Sequence, residues 1–346
     1  MSKKFKDLKI LVIGTGWFGC HIARKLAKNN VSIEMIEKNN SIFSSQSGFN
    51  SNRLHKGFHY PRANTTRKQC IKGFKEFKKE YNQLCKKINK NIIAIHKNSL
   101  MSFKKYLDVM NKDKIRYNLI DNFLNLKNTQ GLIQCNEELI CPEKSKKFFI
   151  NEFKKNKIKI NYNKEAKNYT HKKNKVYIND KAYDWVIDCS GFTFKKINQA
   201  KVRFEPRITL LYESKIKNFA LMLMDGPFWS IYPQKKNIYT LGSVKYSRLS
   251  REVESFEKAN KIISQLNNTK LIKIKRNFEI QVGKDFSDFL KIFKYKGHYT
   301  SVATVFNSVN DERPLKIYKD KKMISVLGGK IDTVIQAGNM IKKMVL

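Results

Sequence analysis

Acidic residues are scarce in this 346-residue chain: 29 Asp and Glu stand against 70 Lys and Arg, a formal net charge of +41. Arginine is scarce within that excess, since only 11 of the basic residues are Arg and the other 59 are Lys. The lysines are spread along the whole chain and interleaved with Asn and Ile. A nucleic-acid face would concentrate charge on one element and favour the guanidinium fork. No zinc-finger spacing, RNP-like aromatic pair or heptad accompanies the charge. A solvated, lysine-rich surface is expected, with no specific nucleic-acid partner. Such a surface draws in small anionic molecules and attracts an anionic membrane only weakly. Cysteine is limited to Cys20, Cys70, Cys85, Cys135, Cys141 and Cys189, with no CxxC pair and no metal-ligand spacing. Neither a disulfide framework nor a metal site is expected. Long apolar runs are missing as well. The first, Ile10 to Ile13, meets a glycine after four residues, too short for a signal peptide or a membrane span. A cytoplasmic protein is the expectation. With 41% hydrophobic and 12% aromatic residues, the chain still has enough apolar side chain for a sizeable core.

Periodicity places a buried strand at Lys9 to Ile13, a helix over His21 to Lys28 and a second strand from Val31 to Ile36, which together form a βαβ unit. A long lysine-rich helix or helix pair is expected from Arg62 to Asn89, and a strand at Asn91 to Ile95. Residues 100 to 130 read as helical and irregular. Pro142 opens a helix reaching about Lys155, as proline does in a first turn. Strands follow at Ile158 to Tyr162, around a polar turn near Lys172, and at Trp185 to Cys189. Alternation from Arg203 to Tyr246 predicts an antiparallel sheet with a turn at Gln234 to Asn237. Arg251 to Leu266 reads as a helix, whereas Lys270 to Gly283 is ambiguous. Strands at His298 to Phe306 and Met323 to Leu327 precede a final helix, Asp332 to Met344. The α/β pieces fall at the start, middle and end, so one nucleotide-binding domain interrupted by a second is expected.

Between the first strand and helix lies Gly14-x-Gly16-x-x-Gly19, with Trp17 and Phe18 in its variable positions. The first glycine permits a tight turn, the second admits a pyrophosphate against the backbone, and the third lets helix pack on strand. The helix N-terminus adds amides and a positive dipole end. Glu37, followed by Lys38, ends the second strand where a carboxylate can accept from an adenosine ribose. This motif points to a dinucleotide and leaves open whether it is FAD or NAD.

Four segments resolve that question by resemblance. Asn50-Ser-Asn-Arg-Leu-His-Lys-Gly-Phe-His-Tyr60 resembles a segment of FAD-dependent 2-hydroxyacid oxidases and glycerol-3-phosphate dehydrogenases. Asp184-Trp-Val-Ile-Asp-Cys-Ser-Gly191 is similar to their second FAD-contacting strand. Asp311-Glu-Arg-Pro-Leu315 and Ile324-Ser-Val-Leu-Gly-Gly-Lys-Ile-Asp-Thr333 resemble their C-terminal pair. The chain therefore looks like a member of the D-amino-acid-oxidase (DAO) superfamily of FAD-dependent oxidoreductases. The resemblance implies an α/β fold, α+β overall: a Rossmann-like FAD domain from residues 1–90, 135–200 and 300–346, and a mostly antiparallel substrate domain from 91–134 and 201–299. It implies FAD contacts at Asn50, Ser51, Ser190, Gly191, Gly328, Gly329, Lys330 and Ile331, besides the fingerprint residues. His55 or His59 is the expected proton acceptor, because histidine titrates near physiological pH. Tyr60 and Arg313 are the expected substrate anchors, since a planar fork suits a carboxylate, and Arg53 is a further candidate. Asp332 and His59 depart from the glycerol-3-phosphate dehydrogenases, which carry Thr and Arg there. The implied reaction is oxidation of a small anionic substrate, a 2-hydroxy acid or an amino acid, with oxygen, a quinone or a carrier protein as electron acceptor. Two alternatives stand beside it. One is non-redox flavin chemistry resembling UDP-galactopyranose mutase, suggested by Gly16-Trp-Phe-Gly19 and Ile36-Glu-Lys38. The other is a basic nucleic-acid-binding protein on a Rossmann-like scaffold.

Overall fold

The computed structural model describes residues 7–195, 197, 201–251, 253–307 and 312–346; Asp311 of the third motif falls outside them. A six-stranded sheet runs in the order Leu315–Asp320, Met323–Gly328, Trp185–Asp188, Lys9–Ile13, Ser32–Ile36, Lys159–Asn161, parallel except at its first strand. Its central strands alternate faces, as period-two side chains must. Ile10 and Val12 point into a core shared with the helices Trp17–Ala27 and Val334–Val345, while Leu11 and Ile13 meet Val176, Ile178 and Tyr183. Those last residues belong to a three-stranded antiparallel meander, Tyr169–Lys172, Lys175–Ile178 and Lys181–Tyr183, that covers the second face.

An eight-stranded sheet follows the order Phe293–Phe306, Val202–Ser214, Ile238–Ser243, Trp229–Lys235, Phe219–Met224, Lys90–His96, Thr129–Gln134, Asn118–Ile120. It is antiparallel apart from the parallel pair Phe219–Met224 and Lys90–His96. Ile92 and Ala94 face a core that includes the helix Asn268–Asp285, and Ile93 and Ile95 face another that includes Phe103–Lys112. The ambiguous 270–283 segment is thus helical, buried through Phe278 and Val282.

One expectation needs correction. The helix expected to reach Asn89 spans Asn64–Tyr81, and after one short turn Cys85–Lys87 becomes a strand. Pairing with Glu138–Ile140 overrides helix propensity there, and Arg53–Leu54 joins the same strand from its other edge. This small sheet sets the segment after Arg53 beside Glu137. Residue 300 lies inside the strand Phe293–Phe306 and pairs with Ile208.

Candidate functional site

The glycine turn is built almost wholly from backbone. Gly14 has φ +89°, a left-handed value that favours glycine, and a Cβ there would lie 3.0 Å from the Cys189 carbonyl. A Cβ on Gly19 would stand 2.0 Å from the Gly14 carbonyl oxygen, so this glycine packs helix against strand and does not line the cleft. Gly16 caps the helix, and a Cβ on it would meet only the Ser47 hydroxyl, at 2.9 Å. Ser47 also accepts from the Trp17 amide at 3.1 Å. The Trp17 ring is turned into the core, 5.2 Å from Phe43, so its indole is a packing group. Glu37 stands where the motif predicts, yet its carboxylate already serves the protein. One oxygen accepts from the Thr15 amide and hydroxyl at 3.0 and 2.7 Å, the other from the Asn39 amide and side chain at 3.0 and 2.9 Å. A ribose hydroxyl must therefore share or displace these donors. Lys38 lies over the Phe256 ring at 3.9 Å.

Two further glycine turns close the cleft. Buried Asp188 accepts from the Ser190 amide at 2.9 Å, and Gly191, at φ +72°, accepts from Thr304 of the large sheet at 2.8 Å. Asn50 orders its own loop, donating to the Gln46 carbonyl and accepting from the Asn52 amide, both at 2.5 Å. A Cβ on Gly328 would fall 1.7 Å from the Phe18 ring, and one on Gly329 2.2 Å from the Arg313 carbonyl oxygen. Beyond them Lys330 and Ile331 lead into the last helix. Gly14, Gly16, Trp17, Phe18, Glu37, Lys38, Asn50, Ser51, Ser190, Gly191, Gly328, Gly329, Lys330 and Ile331 all line one cleft of about 450 Å³, a ligand-sized volume. Ser44 to Ser47, Arg53, His55 and Arg207 line it too. Arg207 is tied to fully buried Glu205, which also meets Arg203 at 2.9 Å and Arg248 at 3.5 Å. Burial acts against its ionisation, but Arg207 and Arg248 hold the carboxyl down at about 2. Three guanidiniums thus share one carboxylate at the cleft wall.

The other end of the cleft is made of side chains from distant segments. His55, His59 and Tyr60 form an aromatic triangle with ring centroids 5.1–5.7 Å apart. Only His55 of the three lines the cleft, and Arg313 does not line it. Burial, reinforced by Lys330 and Arg53, holds the His55 ring well below the ordinary histidine range, and burial with the same two cations does so for His59. Burial pushes the Tyr60 phenol up. Lys330 sits over the Tyr60 ring at 5.0 Å, its ammonium disfavoured by burial and by Arg313 and Arg53. Asp332 is driven toward its neutral form by burial and accepts from the His55 amide at 2.9 Å. Arg53 donates to the Tyr232 hydroxyl at 3.0 Å, and the Arg313 amide donates to Thr66 at 2.9 Å. Four buried polar atoms here lack a hydrogen-bond partner among the described residues: Arg53 Nε, His55 Nδ1, Glu137 Oε2 and Asp332 Oδ2. Buried orphans of this kind are costly, and gathered in one place they mark a site shaped for something besides the protein. Glu137 was invisible to motif reading, because nothing in Cys135-Asn-Glu-Glu138 has a period or spacing. A pair of carboxylates in an acid-poor chain was its only signal.

Two sheets enclosing a glycine-lined cleft, with a buried ionisable cluster at one end, define a dinucleotide-binding enzyme. A family model described as FAD dependent oxidoreductase (DAO) matches residues 9–250, and the chain belongs to that family. FAD-dependent monooxygenase FPY4 of Fusarium mangiferae is 26% identical over 337 residues, 96% of this chain and 90% of the relative. Glycine oxidase from Geobacillus kaustophilus has the same fold at 9% identity, with a TM-score of 0.75 over 98% of this chain and 95% of that one. FAD-bound L-alpha-glycerophosphate oxidase from Mycoplasma pneumoniae superposes with a TM-score of 0.71 at 15% identity, over 97% and 93% of the two chains. The protein is an FAD-dependent oxidoreductase. Among the described residues, no helix is long and apolar enough to cross a membrane.

Proposed function

We propose that this enzyme oxidises a small anionic substrate, a 2-hydroxy acid or an amino acid, at the end of the cleft where His55, His59, Tyr60 and Lys330 meet. The observation that carries this reading is the set of orphaned buried polar atoms beside a cleft lined by three glycine turns. The Gly14–Gly16 turn and helix N-terminus suit the FAD pyrophosphate, Glu37 the ribose, and Gly328–Gly329 with Lys330 the flavin ring. When bound, FAD supplies the hydride acceptor at flavin N5. The chain supplies the rest. Burial keeps His55 and His59 neutral near pH 7, so either ring is free to accept the proton leaving the substrate hydroxyl or amine. Arg313, which does not line the cleft, is taken as the carboxylate anchor on the family resemblance, and the surplus charge of the three arginines on Glu205 attracts an anion toward the cleft. For the domains, sheet membership supports an FAD-binding part spanning the described residues of 7–89, 135–195 and 312–346, with the substrate part from 90–134 and 201–306.

The test is spectroscopic. Anaerobic addition of a panel of hydroxy acids and amino acids to the FAD-loaded protein should bleach the flavin with at least one carboxylate-bearing compound. Failure of every anionic compound, with bleaching by a neutral or cationic one, overturns the reading. A second reading, monooxygenation, is favoured by the monooxygenase relative that spans nearly the whole chain. Labelled dioxygen separates the two, because only a monooxygenase transfers the label into product.

A further inference from the structure

We propose that Glu137 is the positioning residue for His55, holding the imidazole in the tautomer that leaves Nε2 bare; this rests on the reading of His55 as proton acceptor. The two groups converge from distant segments. Arg53–Leu54 pairs with Glu138–Ile140, which sets His55 beside Glu137. Glu137 is 2% exposed and His55 4%. One carboxylate oxygen, Oε1, is fixed by the Lys56 amide at 2.7 Å, so the carboxylate is pinned to the backbone next to His55 itself. The other, Oε2, has no hydrogen-bond partner and lies 3.9 Å from His55 Nδ1, which has none either. A small ring rotation turns that approach into a hydrogen bond and satisfies both orphans at once. The His55 backbone amide donates to Asp332 at 2.9 Å, so the ring has a fixed pivot.

A neutral imidazole carries one proton, and whichever partner binds one nitrogen decides the role of the other. With Nδ1–H donating to Glu137, Nε2 keeps its lone pair and is the atom left to take the substrate proton. The positive charge then formed on the ring is offset by the Glu137 carboxylate. Burial and other charges act on the pair: burial, then Lys330, Arg53 and His59, oppose protonation of His55, and burial raises the Glu137 carboxyl above its ordinary range while Arg53, Lys56 and Lys330 pull it back toward ionisation.

The test reads the tautomer directly in the FAD-loaded full-length protein. Long-range nitrogen–proton spectra of uniformly labelled protein, with His55 identified by its loss in His55→Gln, should show Nδ1 protonated and Nε2 bare. In Glu137→Leu the Nδ1 signal should move toward the unprotonated position. Glu137→Gln keeps an acceptor and the volume, so it should retain the tautomer and lower the pH at which His55 protonates, because a negative neighbour is gone. With a substrate found by flavin bleaching, Glu137→Leu should slow flavin reduction about tenfold to a hundredfold. A wild-type ring protonated at Nε2, or a Glu137→Gln variant with unchanged tautomer and protonation midpoint, overturns the proposal. If His55→Gln reduces flavin at the wild-type rate while the tautomer still answers to Glu137, the pairing stands and the proton-acceptor reading fails.

Discussion

The two ends of the cleft are built on opposite terms. At the Gly14 end, contacts come from main chain and short range: Gly14, Gly16, Thr15 and Glu37 lie within one βαβ unit, and every oxygen of Glu37 has a donor. At the His55 end, contacts come from side chains at 53–60, 137, 313 and 330–332, and four buried polar atoms are unsatisfied. A binding cradle can be fully satisfied and rigid before its ligand arrives. At the reacting centre, polar side chains from separate segments meet under burial, which keeps His55 and His59 neutral.

The contrast breaks most sharply at Gly16. Gly16→Val meets only a serine hydroxyl, so the fold should survive while FAD binding is lost, because the branched side chain stands where the pyrophosphate meets the backbone. A folded but colourless protein that FAD cannot reconstitute is the expected result, and a yellow one refutes it. Gly19→Ala should do the reverse. Its Cβ would overlap the Gly14 carbonyl, so destabilisation of about 3 kcal/mol is expected from the shift in urea midpoint at constant m-value.

At the other end, Arg313→Lys should leave flavin and fold intact and lower kcat/KM about tenfold to a hundredfold, because the point charge survives and the bidentate fork does not. Unchanged flavin reduction would remove Arg313 from the anchor role. His59→Ala should instead slow reduction with an altered pH dependence if His59, and not His55, takes the proton.

A further effect concerns pH and sharpens the asymmetry. The folded-state pKa of Lys330 lies below its unfolded value, through burial and the neighbouring arginines. Between those two values the unfolded chain binds more protons, so stability rises with pH until the ordinary lysine pKa of about 10.4 is reached. Lys330→Met should flatten that rise by up to about 1.4 kcal/mol per pH unit, measured as urea midpoints across alkaline pH. An equal slope in both proteins would show that Lys330 is solvated.

Period and spacing alone made the βαβ unit and the first glycine turn legible, and the resemblance supplied the four motifs with the other two turns. The βαβ unit is a local matter of period and backbone freedom, and the structure places the strands Lys9–Ile13 and Ser32–Ile36 within a residue of where the periodicity set them. The sequence also put His55, His59, Tyr60 and Arg313 on one candidate roster, though not their geometry. Packing between distant segments turned the Trp17 ring into the core, moved Cys85–Lys87 from helix to strand, and laid Arg53–Leu54 beside Glu138–Ile140. The meeting of Glu137 with His55 belongs to that second group. It spans 82 residues of chain, leaves no periodic trace in either segment, and exists because edge pairing in a small sheet satisfies backbone groups that local propensity would have put elsewhere.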